Sequence, residues 1–562
     1  MNYKIISAVL GTVAAIVGAC MFLCLPWGSA YLGGGSNELQ GARGLLFSGG
    51  ISMALAGALA FFGRGADKER LFRKEAIVIV ALSWIMAVFL GALPYLFAGV
   101  LRATDTPMSF CDAFFESASG LTTTGATVFS SLENKETLPR TILMWRMTTH
   151  FLGGLGVICF FVALLGHGAN GKAVFKIERS VSSAPAAKMR TTASYLFFIY
   201  ISLNIVCCVA LLCCGTSLFD AISHAFSVVA LGGFSTRDAS VAYFTADPNA
   251  NGLAVEIVLC FFMIASGTNY WLIYWCAVGK PGKLFRDSEW RLFMSLLIVG
   301  IAATTFFGVV HRDFKKTLPE ETDVAVEVGG QLDRYIIDDG SDDPENLNRR
   351  PNKTIAASAP RAGLWESFRR ASFQTISLAT GAGFATYRYE YWNSTSLIIL
   401  AILMYIGGCA GSAAGGAKVI RALLAWKSIS QSLAATFSPN VVRSTRIDGE
   451  IVDKERLHAA VAYLFAFSSL IFVTAAIVTA LEPDAIWLAR HESQVEKMSD
   501  IYVASISMYA NVGPAFGVLG SFDNFGALSD PTKFLFGWAA LLGRLEIWTI
   551  LALFSPNFWR NR

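Results

Sequence analysis

The chain has 562 residues and a formal net charge of +4, and 54% of its residues are hydrophobic while only 15% are charged. Soluble domains carry about 25% charged residues, so the composition excludes an ordinary soluble protein, and the small net charge argues against nucleic-acid binding. The 11 cysteines show no metal-ligand spacing. We find no HExxH motif, no intramembrane aspartate pair and no serine/histidine arrangement, so an enzyme is not predicted.

Long apolar runs predict about ten spanning helices, each able to cross a bilayer core about 30 Å thick. The first two runs form an N-terminal helical hairpin in residues 1–70, and the other eight are arranged in pairs. The predicted spans lie near 4–28, 43–63, 75–99, 139–165, 193–214, 253–278, 290–310, 393–426, 457–480 and 533–555.

Four short segments, each between two of the later spans, contain glycines that can be aligned. These glycine segments are SASGLTTTGATVF (117–129), SVVALGGFSTR (227–237), SLATGAGFATYR (377–388) and SMYANVGPAFG (507–517). The aligned glycines are Gly125, Gly233, Gly383 and Gly513. A ring of backbone carbonyls can replace the hydration shell of a cation, and glycine adopts backbone angles that a Cβ forbids. We therefore expect an all-α integral membrane protein with four helix–pore-loop–helix repeats around a central pore.

The spans and glycine segments divide the rest of the chain into four pore repeats at 71–170, 190–282, 288–430 and 452–562. The third repeat carries a long polar insert at 312–363 that is rich in aspartate and glutamate. A solvated loop is the expected form of this insert. The alternative is a vestibule whose field concentrates cations.

Basic residues are concentrated in alternate loops, at 64–74, 172–190, 280–291 and 427–456, and at the C-terminus. Short loops rich in lysine and arginine face the cytoplasm. This rule predicts that both chain termini are cytoplasmic and that all four glycine segments lie towards the outer side.

Several motifs resemble those of the Trk/Ktr/HKT superfamily of cation transporters. TTTGAT (122–127), GGFST (232–236), GAGFAT (381–386) and NVGPAFG (511–517) resemble its four selectivity-filter segments. HFLGGLGVI (150–158) and YIGGCAGSAAGGAKVIR (405–421) resemble the helices after its first and third filters. The N-terminal hairpin makes the chain most similar to the TrkH/TrkG branch, the potassium-uptake subunits of the bacterial inner (plasma) membrane. The resemblance implies a K⁺ filter formed by Thr123, Thr124, Gly125, Leu231, Gly232, Gly233, Gly381, Ala382, Gly383, Asn511, Val512 and Gly513.

A cluster of glycines interrupts the predicted span 393–426. Each glycine weakens a helix by roughly 1 kcal/mol, and unwound backbone at membrane depth must be buried in protein or line a cavity. A flexible loop beneath the filter is therefore predicted, with close helix packing through small residues as the alternative. The resemblance implies that this loop is an intramembrane gate. The implied gate residues are Gly407, Gly408, Gly411, Ser412, Gly415, Gly416, Lys418 and Arg544.

Arg544 lies within an apolar run, where an arginine faces a pore or a partner. In the family an arginine on the last helix acts as an electrostatic barrier below the filter. The alternatives are a pair with Glu546 or snorkelling to the membrane surface. Trp145, Arg146 and His150 are expected to be interfacial anchors.

The resemblance implies potassium uptake, with K⁺ as the bound and transported ion. A sodium-permeable or mixed transporter of the same superfamily is one alternative, and a secondary carrier of an organic solute is another. The resemblance also implies a homodimer in membrane lipid and a cytosolic nucleotide-binding regulatory subunit of the TrkA type. The resemblance also implies symport with another ion, but the sequence leaves the coupling mode open.

Overall fold

The computed structural model describes residues 1–29, 34–35, 37–65, 73–135, 137–165, 189–311, 313–314, 363–437, 445–489 and 494–560. Most of the insert 312–363 and most of the predicted basic loop 172–190 lie outside the described residues. The helices are Tyr3–Leu23, Glu38–Phe62, Arg73–Phe97, Phe110–Leu121, Arg140–Leu165, Met189–Cys213, Leu218–Ala230, Tyr243–Ala246, Gly252–Gly267, Tyr270–Ala277, Gly282–Arg286, Ser288–His311, Leu364–Thr380, Ser394–Ile406, Val419–Phe437, Lys454–Leu481, Ala485–Ala489, Gln494–Ala510, Asp530–Arg544, Ile547–Phe554 and Pro556–Arg560.

Other regular structure in the described ranges is short. Two antiparallel pairs join Leu101–Ala103 to Thr106–Pro107 and Arg446–Ile447 to Glu450–Ile451. Four 3₁₀ turns lie at Leu25–Gly28, Ser240–Ala242, Tyr389–Tyr391 and Gly517–Leu519. The fold is therefore built from helices, and strands contribute only to loops.

The first two helices form the expected hairpin because small residues let their backbones approach. A methyl group added at Gly11 would lie 3.1 Å from the carbonyl oxygen of Ala56, and one at Gly18 would lie 3.1 Å from Cβ of Ser52. Close contact between small residues is a common way for helices to pack in lipid.

Four helices end within the first residues of the four glycine segments, and we call them the segment helices: Phe110–Leu121, Leu218–Ala230, Leu364–Thr380 and Gln494–Ala510. The first begins with a capping box between Ser109 and Asp112, and Ser217 caps the second by accepting a hydrogen bond from the Asp220 amide. Most of their side chains near the glycine segments are buried. The sequence thus starts each of these two helices with a polar cap and buries its end.

The four repeats pack in a closed cycle. The helix that follows each glycine segment packs against the segment helix of the next repeat. The pairs are Arg140–Leu165 with Leu218–Ala230, Gly252–Gly267 with Leu364–Thr380, Ser394–Ile406 with Gln494–Ala510, and Asp530–Arg544 with Phe110–Leu121. The last pair joins the fourth repeat to the first, which places the four glycine segments around one axis.

By length and composition, six helices of the described part could cross a membrane, or up to eight if each of two bent pairs is one span. Two predicted spans differ from the continuous helices expected at 253–278 and 533–555. Gly252–Gly267 and Tyr270–Ala277 meet at 108°, and Asp530–Arg544 and Ile547–Phe554 meet at 113°. At the first bend the Asn269 side chain accepts a hydrogen bond from the Trp271 amide at 2.8 Å. This cap starts a new helix in a new direction.

A buried ion pair holds the fourth repeat to the first. The Lys533 ammonium pairs with the Asp112 carboxylate, and both side chains are 3% exposed. Asp530 adds a second carboxylate at 2.9 Å. Since a buried charge is costly without its partner, this contact helps to close the cycle of repeats.

We expect Lys533→Ala to destabilise the folded protein by up to about 3–5 kcal/mol, because the buried Asp112 carboxylate is then left with its longer ion pair to Arg102, at 3.8 Å. Thermal unfolding of the purified protein in detergent measures the effect. Arg456→Ala is the matched control, since Arg456 pairs with the exposed Asp453 at 3.9 Å and such pairs contribute about 0–1 kcal/mol. Equal losses in the two variants would contradict a structural role for the buried pair.

Candidate functional site: a ring of four glycine segments

The four aligned glycines lie in a closed ring with four-fold order. A methyl group added at Gly125 would lie 2.1 Å from the carbonyl oxygen of Gly232 in the second segment. The other three distances are 2.3 Å from Gly233 to the Ala382 oxygen, 2.0 Å from Gly383 to the Val512 oxygen, and 2.4 Å from Gly513 to the Thr124 oxygen. Each oxygen belongs to the residue just before the next aligned glycine. The ring therefore leaves no space for a side chain at these four positions.

The same backbone conformation recurs in every segment. The aligned glycines have φ of +87°, +78°, +73° and +102° in chain order. The residues two positions earlier, Thr123, Leu231, Gly381 and Asn511, have φ of +53°, +56°, +80° and +53°. Positive φ at alternate residues prevents an ordinary strand, in which successive carbonyls point to opposite sides. Three of the residues at the earlier position carry side chains in the left-handed region, an uncommon conformation that is concentrated at functional sites in proteins.

A serine that the sequence analysis missed recurs six residues before each aligned glycine: Ser119, Ser227, Ser377 and Ser507. The carbonyl of each serine accepts a hydrogen bond from the amide of the residue before the glycine, at 2.8, 2.8, 2.8 and 3.0 Å. The hydroxyls of Ser119 and Ser377 also donate to Ala126 and Phe384 carbonyls, at 2.6 and 2.7 Å. The four-fold spacing of serine and glycine was the signal that could have identified them.

The side chain of Asn511 ties the fourth segment to the first. Its amide donates to the Thr124 hydroxyl at 3.0 Å and to the Ala540 carbonyl at 2.9 Å. Thr124 also shares a hydrogen bond of 2.7 Å with Thr122. The Thr124 hydroxyl is therefore engaged in contacts between segments.

Arg146 lies behind the ring, and the expectation of an interfacial anchor is wrong. Its side chain is 1% exposed and pairs with the fully buried Glu116 at 2.6 Å. Trp145 is also buried, and its ring nitrogen donates to the Gly91 carbonyl at 3.1 Å. The glycine segments fold back over the start of the helix Arg140–Leu165, which converts an apparent helix end into an interior position.

His150 is the third expected anchor that the structure places in the interior. Its Nδ1 lies 3.2 Å from the Ser227 hydroxyl, and its ring stacks on Phe234 at 4.0 Å. A methyl group added at Gly232 would clash with this ring. The histidine therefore packs against the back of the second glycine segment.

A cleft opens on the ring and is lined by Gly125, Gly233, Gly383, Pro514, Asp238 and Asp523, among others. Asp238 lies beyond the spans and accepts hydrogen bonds from the Leu132 amide at 2.5 Å and the Ser131 hydroxyl at 2.8 Å. Burial raises the pKa of the Asp238 carboxyl. The same lining includes Arg146 and Arg237, so acidic and basic side chains are balanced at the cleft.

The glycine cluster is an unwound, buried loop between Ile406 and Val419, which we call the 407–418 loop. All its residues are buried except Gly411, which is partly buried. Gly407, Gly411, Gly416 and Lys418 have φ between +71° and +79°. This conformation excludes the alternative of a continuous packed helix, and the predicted break in span 393–426 is present.

The 407–418 loop lies against the base of the ring. A methyl group at Gly415 would be 2.0 Å from the Ala510 carbonyl oxygen, at the end of the fourth segment helix. The two ends of the loop meet: the Ala417 amide donates to the Tyr405 carbonyl at 3.0 Å and the Lys418 amide to the Ile406 carbonyl at 2.8 Å. These two hydrogen bonds join the backbone before the loop to the backbone after it, and we call this junction the stem of the loop.

Arg544 holds the 407–418 loop from the other side. Its Nη1 donates to the Ala413 carbonyl at 2.7 Å, and the residue is 8% exposed. Among the described residues no acceptor meets its Nε or Nη2. The alternative pair with Glu546 is absent, because the carboxylate of Glu546 pairs with Arg421. The structure thus brings Arg544 to the loop beneath the ring.

Comparison with known proteins identifies the family. The model of the TrkH family, described as "Cation transport protein", matches residues 45–561. The chain is 30% identical to the Trk system potassium uptake protein TrkH of Salmonella typhimurium, over 100% of both chains. It is 29% identical to the Trk system potassium uptake protein TrkG of Escherichia coli, over 88% of this chain and 87% of the relative.

The crystal structure of the potassium transporter TrkH from Vibrio parahaemolyticus superposes with a TM-score of 0.77 at 27% identity, covering 100% of both chains. Its fold and the apolar helices described above fit an all-helical membrane protein. The family transports cations and is not a family of enzymes. The chain therefore belongs to the TrkH family of cation transport proteins.

Proposed function

We propose that this chain is a potassium-uptake transporter that moves K⁺ through a filter formed by its four glycine segments. The closed ring of contacts from each aligned glycine to the carbonyl of the next segment is the observation that carries the proposal. It brings the carbonyl oxygens of Thr124, Gly232, Ala382 and Val512 to matching positions around one axis. Carbonyl rings of this kind replace the hydration shell of K⁺. The relatives named as potassium uptake proteins support the choice of ion.

In the size-based account of selectivity for K⁺ over Na⁺, the oxygens keep a spacing that fits the larger ion. Buried serine contacts and the link from Asn511 to Thr124 oppose movement of the segments. In the superfamily that the chain resembles, potassium selectivity goes with glycine at all four aligned positions, and this resemblance favours potassium over the sodium-permeable alternative. Four segments of the same direction also differ from the inverted halves expected of an organic-solute carrier.

The 407–418 loop is the proposed gate. Gly415 lies against the end of the fourth segment helix, and Arg544 donates to the loop at Ala413. A conducting state then requires the loop to move away from the ring. Its glycines and closed stem permit this motion without unfolding the flanking helices.

The surroundings of the protein are proposed from the sequence pattern. We place it in the bacterial inner membrane with both termini in the cytoplasm and the cleft on the outer side. A homodimer and a cytosolic nucleotide-binding subunit of the TrkA type are the proposed partners, with the subunit docking at the basic loops 168–192 and 427–456. The short pair Arg446–Ile447 and Glu450–Ile451 shapes part of this surface.

Complementation of a potassium-uptake-deficient bacterium tests the function, with Rb⁺ and Na⁺ flux measured in vesicles that contain the purified protein. We expect restored growth at low potassium and Rb⁺ flux well above Na⁺ flux. Comparable fluxes of both ions would favour the sodium-permeable alternative. Failure of both ions to pass through correctly folded protein would contradict the filter and favour another solute.

We expect Arg544→Ala to raise maximal Rb⁺ uptake without loss of selectivity. A guanidinium about 4 Å from a passing cation repels it by roughly 4 kcal/mol at an effective dielectric of 20, so its removal speeds passage at least tens-fold if that step limits the rate. Arg544→Lys keeps the charge and should remain closer to wild type. The measurement is uptake per folded molecule, and a lower value for the alanine variant would contradict the barrier role.

A further inference from the structure

We propose that the buried pair Glu116–Arg146 is a positioning device that sets the spacing of the first and second glycine segments and so the ion selectivity of the ring. This inference rests on the proposed filter. It assigns a function to two residues that lie outside the ring and contact the residues that follow Gly125 and Gly233 in the chain.

Glu116 holds the first segment. Its carboxylate accepts hydrogen bonds from the Val128 amide at 3.0 Å and from the Thr127 hydroxyl at 3.1 Å to each oxygen. These residues follow Gly125 by two and three positions. The first segment thus cannot shift along its axis without breaking bonds to a charged, fully buried acceptor.

Arg146 carries the connection to the second segment. Its Nε donates to Glu116 at 2.6 Å, and its Nη1 donates to the Ser235 carbonyl at 3.0 Å. The guanidinium lies over the Phe234 ring at 3.4 Å from the centroid. Ser235 is two residues beyond Gly233, the position that Thr127 holds relative to Gly125. One guanidinium therefore links equivalent points of adjacent segments through the carboxylate.

Burial makes this link stiff. The two side chains are 1% and 0% exposed, so water does not replace either partner. Removing one partner of a buried ion pair is strongly destabilising, because the other charge is left buried and unpaired. The planar guanidinium of arginine also favours one arrangement of its hydrogen bonds. An apolar pair of similar volume would fill the space and would leave the segments free to slide.

The equivalent position in the other repeats supports the assignment. Nine residues before the aligned glycines the chain has Glu116, His224, Gln374 and Ala504. His224 shares a hydrogen bond of 3.1 Å with the Ser235 hydroxyl. Gln374 donates to the Phe384 carbonyl at 3.1 Å and accepts from the Thr386 amide at 3.3 Å. In three repeats this side chain supports its own segment, and Glu116 extends the support to the neighbouring segment through Arg146.

The test measures the ratio of Rb⁺ to Na⁺ flux per folded molecule in reconstituted vesicles. For Glu116→Gln we expect the ratio to fall roughly threefold to tenfold, within the range for mutations in packed networks that couple sites. Arg146→Lys keeps the charge but loses the planar fork, and Thr127→Val removes one donor to Glu116. Both should lower the ratio by smaller factors. The control is Glu256→Gln, which disrupts the ion pair of Glu256 with Arg369, at 2.7 Å. This pair joins the helices Gly252–Gly267 and Leu364–Thr380 and contacts neither the first nor the second glycine segment.

The ratio for Gly383→Ser separates the two proposals. If that variant loses selectivity while folded Glu116→Gln keeps the wild-type ratio, the positioning role is wrong and the filter stands. If neither variant changes the ratio, the filter itself is wrong. If Glu116→Gln does not fold, unchanged ratios in both Arg146→Lys and Thr127→Val overturn the proposal. An equal loss in Glu256→Gln also overturns it, because general loosening would then explain the result.

Discussion

Gly383→Ser is expected to lower the ratio of potassium to sodium flux about tenfold or more, which corresponds to about 1.4 kcal/mol of lost discrimination. The Cβ of the new residue would overlap the Val512 carbonyl oxygen, which lies 2.0 Å from its position, and φ at this residue is +73°. The Val512 carbonyl must move, and the oxygen spacing that distinguishes K⁺ from the smaller Na⁺ changes with it. Flux of Rb⁺ and Na⁺ per folded molecule measures the change.

Two control substitutions make this result specific. Gly57→Ser adds the same side chain where nothing lies within 4 Å and should keep the wild-type ratio. Gly381→Asn tests the position two residues earlier, where the nearest atom is 3.7 Å away and the fourth segment has Asn511. We expect a smaller loss there than at Gly383. An unchanged ratio in Gly383→Ser, at normal amounts of folded protein, would remove this glycine from the filter.

The sequence was informative about local requirements. Apolar runs of spanning length predicted the helices, and glycines between them predicted the four segments, because each signal depends on one short stretch of chain. The break in span 393–426 was predictable for the same reason, since glycines at 407, 408, 411, 415 and 416 cannot maintain a stable helix.

Features that depend on distant residues were missed. The partner of Arg146 is Glu116, which lies 30 residues away in the chain. No residue close to Arg146 in the sequence indicates this pairing. The position of Arg146 near the start of a long helix suggested the membrane surface. The segments that fold back over that helix end convert it to an interior site. Likewise, the 108° bend after Gly267 depends on a cap by Asn269 and on contacts to the 407–418 loop, such as Gly411 with Tyr270.

The same long-range contacts change the interpretation of Arg544. From the sequence, Arg544 was expected to be a barrier to cations or a partner of Glu546, which lies two residues further along the chain. The structure pairs Glu546 with Arg421 and directs Arg544 to the Ala413 carbonyl. The charge of Arg544 and the position of the 407–418 loop are thus linked by this one hydrogen bond. We therefore expect that the effects on flux of changing Arg544 and of changing the loop are not independent.

Deletion of Gly411–Gly416 is expected to raise Rb⁺ flux about tenfold or more, since removal of about 1.4 kcal/mol from a limiting barrier has this effect. The deletion removes Gly415 from its contact with the Ala510 carbonyl at the base of the ring. It leaves the stem, because the amides of Ala417 and Lys418 still reach the carbonyls of Tyr405 and Ile406. The chain can therefore close across the gap with the flanking helices in place. Selectivity should persist because the contacts of the four aligned glycines with their neighbouring segments are all retained.

Combining the deletion with Arg544→Ala tests the coupling. Arg544 loses its acceptor at Ala413 when the loop is removed, so the double variant should gain less than the product of the two single gains. Uptake per folded molecule in the four proteins of the cycle gives this comparison, with size-exclusion profiles as the control for folding. Fully multiplicative gains would mean that the arginine and the loop are independent barriers. A folded deletion variant that conducts no better than wild type would contradict the gate and assign the loop to helix packing.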